Sequence, residues 1–228
     1  MPEATLTEIC DEVVACSRCP RLVEWRSESA AHPPARFAHE AYWARPLPGF
    51  GDPRATILLV GLAPAAHGGN RTGRMFTGDR SGEFLFGAMH RTGLASRSTS
   101  VAADDGLELT GAYVSAVVRC APPDNKPTPQ ERQNCLPFLV REIRALTELR
   151  VVVALGGFAW DGVLRAMGEV GFRPPARPDF GHLAEATIGP YVLVGSYHPS
   201  QQNTFTGRLT PSMLDAVMSR ARELAGHA

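Results

Sequence analysis

Long apolar runs, net charge and lysine are all in short supply in this chain of 228 residues. No stretch approaches the ~20 consecutive apolar residues that a membrane-spanning helix needs, so no membrane role is expected. Basic and acidic residues balance at 23 each. Bulk charge therefore offers no argument for a nucleic-acid partner, and any attraction must be local. Lys126 is the only lysine; every other basic residue is arginine, which suits bidentate phosphate contacts. The opening MPEATLTEICDEVVAC lacks the basic and apolar regions of a signal peptide. The expectation is a cytoplasmic protein, and a monomer.

What remains is ordinary globular material. Hydrophobic residues make up 44% of the chain, which argues against disorder. A chain of this length can bury roughly 70–75% of its unfolded surface. We expect one domain over residues 1–228, with residues 1–53 as an arm packed on it. Four short apolar runs, 56–60, 112–118, 150–155 and 191–195, are bounded by Gly or Pro and read as strands buried on both faces of a parallel sheet. Helical spacing occupies 82–92, 128–146, 158–167 and 211–224, with a further helix over 6–15. Thr128-Pro129-Gln130-Glu131 reads as an N-cap, a first-turn proline and a capping-box glutamate. Alternating strands and helices give an α/β fold, a three-layer α/β/α domain with a central four-stranded parallel sheet. Residues 171–183 read as an irregular excursion.

Ligands of such sheets sit beyond the carboxyl ends of the strands. The segments that follow strands one, two and four are polar and rich in Gly and Pro, so one edge is the expected site.

Five cysteines are present. Cys16 and Cys19 form a CxxC; Cys120 follows the second strand, and Cys135 falls inside the next helix. Buried free thiols are one reading. A thioredoxin-type pair fits badly, because its CxxC opens a helix directly after a strand, and a reducing cytosol argues against disulfides. Four thiolates can hold zinc or an iron–sulfur cluster. The wide spacing of the second pair favours the cluster without excluding zinc. Cys10 stands apart as a helix residue facing core or solvent.

Longer strings carry more information. GLAPAAHGGNRTGRMFTGDRSGEFLF, VVRCAPPDNKPTPQE and SYHPSQQNTFTGRLT, with CSRCPRL and AYWARPLPGFGDP, together resemble the iron–sulfur branch of the uracil-DNA glycosylase superfamily. Within it they resemble family 5, the type b enzymes, over nearly the whole chain. Family 4 relatives show GEAPG where this chain has GLAPA, and the KRRIH-like insertion of a covalently linking relative is missing before His198. The resemblance implies a [4Fe–4S] cluster near the DNA-binding face. It also implies monofunctional excision of uracil and other deaminated bases, such as hypoxanthine, from DNA.

An enzyme acting on a base must extrude it and stack it in a pocket. By its similarity to the Phe of the family pocket, Phe76 is the stacking candidate, with Gly61 and Ala63 beside it; a core anchor is the alternative. Cleavage of the N-glycosidic bond builds positive charge on the sugar and negative charge on the leaving base. His198, just past the fourth strand, is placed to donate to a uracil oxygen. Asp79 is the carboxylate left to position water or stabilise the sugar cation, and it could equally be a helix N-cap. Asn125 is assigned to the base or a flanking phosphate, against a plain turn. Asn70, Arg71, Arg74, Lys126 and Arg208 are expected to contact DNA, with Thr206, Gly207 and Arg208 at the tip of a loop that enters the minor groove or braces the duplex. A non-catalytic cluster-bearing nucleic-acid binder or electron-transfer protein is the competing expectation.

Overall fold

The computed structural model describes residues 4–226. The sheet has six strands in the order β1-β3-β2-β4-β6-β5. Its centre is the expected parallel set: β3 (Ala112–Ala116), β2 (Ile57–Gly61), β4 (Val151–Leu155) and β6 (Tyr191–Ser196). Two antiparallel edge strands, β1 (Phe50–Gly51) on β3 and β5 (Glu185–Ile188) on β6, extend it beyond the four expected. Neither carries an apolar run. The first has two residues, and the second is partly exposed Glu-Ala-Thr before its one buried residue, Ile188. Short, charged edges of this kind also discourage pairing with another chain.

Helices cover both faces. Alternate strand residues such as Leu59, Val114 and Val153 point into one core, which α4 (Arg80–Arg91) and α8 (Pro211–Leu224) complete. Leu58, Val60 and Val152 point into the other, closed by α5 (Pro129–Ala145), α6 (Gly157–Val170) and α2 (Pro20–Ala31). Their two-residue period fills both cores, so β2, β3 and β4 are buried throughout. Two short helices, α3 (Gly69–Thr72) and α7 (Gln201–Phe205), sit in the loops after β2 and β6. Among the described residues no helix is long and apolar enough to cross a membrane.

The N-terminal segment is tied down at several points. Helix α1 (Leu6–Val14) places Ile9 and Val13 on Phe138 of α5, and Arg141 grips the carboxylate of Glu12. Arg21 of α2 holds both oxygens of Glu131 at 2.8 and 2.7 Å and donates to the Lys126 carbonyl at 3.1 Å. Glu131 also closes the capping box onto Thr128. Further along, the backbone N–H groups of Trp43 and Ala44 donate to Arg71 and Asn70, and that of Leu47 to Arg119.

One polar group is buried deep in the second layer. Arg119 and Glu142 form an ion pair with essentially no exposure, and Ser115 Oγ donates to the same Glu142 oxygen at 2.7 Å. Removing one partner of such a pair strands a charge, whereas replacing both with apolar groups need not cost stability. Glu142→Leu should lower unfolding stability by about 3–5 kcal/mol, and Arg119→Met in the same chain should recover most of it. Urea denaturation of the two variants checks this.

Candidate active site

Gly61 ends β2, and the chain then makes a polar excursion that returns as α4. Two glycines make this excursion possible. A Cβ on Gly61 would lie 2.6 Å from Phe76 Cζ, and one on Gly68 would lie 2.1 Å from Asp79 Oδ2. Their missing side chains let the phenyl ring lie on the strand end and the carboxylate fold under the loop. Phe76 itself has φ of 52°, a left-handed conformation that a bulky residue adopts only where its surroundings impose it.

Phe76, Asp79, Asn125, Ala63 and His198 meet around one cleft of about 570 Å³ at the carboxyl edge of the sheet. The phenyl and imidazole rings stand with centroids 6.1 Å apart, tilted by 35°. Burial alone pushes the His198 imidazole down to about 4, so near neutral pH the ring is uncharged and can still donate one N–H. Asp79 is the N-cap of α4: its Oδ1 accepts from Gly82 N–H at 2.9 Å. Burial also raises its pKa, outweighing that backbone bond. Asp79 thus both caps the helix and lines the cleft. Asn125 is exposed and left-handed (φ 56°), following the left-handed Asp124 in a single 3₁₀ turn.

The four expected cysteines also come together. Cys16, Cys19, Cys120 and Cys135 line one small cavity with Arg26, Arg119 and Phe138. Burial raises the thiols of Cys120 to about 12 and Cys135 to about 11. Among the described residues no three His, Cys, Asp or Glu side chains are grouped so as to hold a metal ion. Cys10 lies outside this group, half-buried against the Gly49 carbonyl and the Tyr113 hydroxyl.

A family model described as the uracil DNA glycosylase superfamily matches residues 48–222. The type-5 uracil-DNA glycosylase of Mycobacterium tuberculosis (strain CDC 1551 / Oshkosh) is 53% identical over 216 residues, covering 94% of this chain and 80% of that protein. This chain belongs to the type-5 uracil-DNA glycosylases. The Thermus thermophilus member is 52% identical over 215 residues, covering 94% and 95% of the two chains. Likeness to a type-4 uracil-DNA glycosylase of Archaeoglobus fulgidus is narrower, 36% over 114 residues and half of this chain.

Three of the residues expected to contact DNA are engaged inside the loop. Asn70 is fully buried, with its amide on the carbonyls of Arg26 and Ala66. Arg74 is buried, its Nη2 donating to both Asp105 oxygens at 2.7 and 2.8 Å and to Ser100 Oγ. Arg71 is spent on the carbonyls of His67 and Gly78, on Glu40 and on the face of Phe37. All three brace the loop, because an irregular segment between strand and helix must satisfy its own carbonyls. Lys126, Thr206, Gly207 and Arg208 are exposed, and the Arg208 guanidinium lies 4.7 Å from the centre of the Tyr197 ring.

Sequence reasoning missed Arg80, Ser200 and Gln201, which line the cleft, and Phe205, whose ring is 66% exposed beneath the Arg80 guanidinium. A phenylalanine inside a polar loop was the available signal for Phe205.

The depressed His198 pKa has a stability consequence. Above about pH 6.5 the ring is neutral in both folded and unfolded chains. As the pH falls, the unfolded chain takes the proton first, so stability drops between about 6.5 and about 4, by about 3 kcal/mol in all. His198→Asn should remove that part of the pH dependence in urea denaturation at pH 7 and pH 4.5.

Proposed function

We propose that this chain flips uracil out of DNA and hydrolyses its N-glycosidic bond, leaving an abasic site in base excision repair. Hypoxanthine and other deaminated bases belong to the same substrate class. What carries this reading is the neutral imidazole of His198 beside Phe76, in a chain more than half identical to named type-5 uracil-DNA glycosylases. The extruded base stacks on Phe76 against the small floor of Gly61 and Ala63. As negative charge gathers on the leaving base, His198 donates a hydrogen bond to its carbonyl oxygen. A neutral, buried donor stabilises such an anion without a charge to desolvate first.

Asp79 positions water or stabilises the sugar cation with the oxygen its cap bond leaves over. Asn125 contacts the base or a flanking phosphate. Lys126 and Arg208 bind backbone phosphates, with Thr206 and Gly207 at the loop tip, so affinity falls with salt. Phe205 is the apolar side chain available to fill the stack that the base vacates. The enzyme works as a cytoplasmic monomer without membrane association.

The cysteine cavity fits a [4Fe–4S] cluster by its donor set: four thiols around one small space, with the Arg26 guanidinium 3.2 Å from Cys120 Sγ and the Asn134 amide 3.4 Å from Cys19 Sγ. Cys16, Cys19, Cys120 and Cys135 would hold it, making residues 1–53 its arm. When bound, the cluster supplies a covalent cross-link between that arm and α5. The arm then fixes the Asn125 loop through Arg21, which donates to the Lys126 carbonyl.

Single-turnover excision from a labelled uracil:guanine duplex, read by alkali-labile nicking, tests the assignment. His198→Ala and Asp79→Asn should each slow excision by about 10²-fold or more, while duplex binding by gel shift stays near the parent. Full rates in both variants would remove the roles given to these two residues, and no nicking by the parent would remove the activity.

A further inference from the structure

Arg26 is a buried cation with no carboxylate partner. It lies on α2 with 8% of its surface exposed. No Asp or Glu pairs with it among the described residues; Nη1 donates to Cys120 Sγ at 3.2 Å, and Nε is buried without a partner. Arg119, which lines the same cavity, is also buried but is neutralised by Glu142. A guanidinium cannot escape burial by losing its proton, so Arg26 needs a negative charge close by. Among the described residues, the side-chain acceptor that its guanidinium meets is Cys120 Sγ of the cysteine cavity.

We propose that Arg26 is the counter-ion of the iron–sulfur cluster, donating to the Cys120 thiolate and thereby setting the cluster's reduction potential and its retention. The proposal rests on the reading that the four cysteines hold a cluster. Four cysteine thiolates outweigh the charge of a [4Fe–4S] core, so the bound group is anionic and supplies what Arg26 lacks. Reduction by one electron makes it more negative still, and a fixed cation favours the reduced form. Hydrogen bonds to the sulfurs act in the same direction. Arg26 is a positioning residue here, since it meets the metal only through a ligand. Its backbone carbonyl accepts from the Asn70 amide at 3.2 Å, so the residue that balances the cluster also anchors the loop after β2.

The full chain, purified without air, is the material for the test, with Arg26→Lys, Arg26→Gln and Arg26→Met beside the parent. Iron and acid-labile sulfide are counted first. Dithionite titration with mediators, followed by electron paramagnetic resonance, then gives the midpoint of one-electron reduction. Bleaching of the visible band in a chelator gives retention. Arg26→Gln and Arg26→Met should shift the midpoint to more negative values and bleach about ten-fold faster or more. Arg26→Lys, which keeps the charge, should stay near the parent. Normal loading with the parent's midpoint and bleaching rate in both neutral variants overturns the proposal. If Arg26→Met does not load, Lys against Gln decides: equal midpoints and rates overturn it, and a split between them supports it. A parent protein without iron or sulfide overturns the cluster reading itself, which is a separate failure.

Discussion

A parallel sheet has one geometric constraint that everything else here obeys: every strand ends on the same edge. The register of β3, β2, β4 and β6 runs in step, so the chain must leave that edge after each strand and return along a helix. The loops after β2, β3 and β6 are thereby brought to one place with no contact between them needed in advance. Phe76 and Asp79 come from the first, Asn125 from the second and His198 from the third. The cleft is a product of topology before it is a product of side chains.

This is why so much could be read from the sequence. Buried parallel strands must be apolar on both faces, and ILLVG and VVVAL declare themselves for that reason. The capping box at Thr128 and the cap at Asp79 are local hydrogen-bonding patterns that need no tertiary context. The edge strands stayed hidden because two residues, or a half-exposed Glu-Ala-Thr, carry no periodic signal. Helix α2 stayed hidden because its apolar positions are few and its buried face includes Arg26 and Ser29.

The site was legible as a set of loops but not as a set of orientations. Asn70, Arg71 and Arg74 lie in the right segment and carry the right groups for phosphate contact. Yet a loop that crosses from strand to helix must first satisfy its own backbone, and these side chains are consumed in doing so. Nothing in residue type separates an arginine that faces solvent from one that holds Asp105. The cysteines illustrate the opposite case: their spacing left zinc and cluster open, while the structure put all four on one cavity and set a cation against it.

Glu131 serves three demands with one carboxylate: it closes the cap of α5, accepts both Arg21 nitrogens, and so links the N-terminal segment to the turn before that helix. Loosening the segment therefore means fraying the first turn of α5, and with it the start of the helix that carries Cys135. Arm, turn and helix are joined through this one carboxylate and the Lys126 carbonyl. The arm is held by the cap of a helix more than a hundred residues away along the chain.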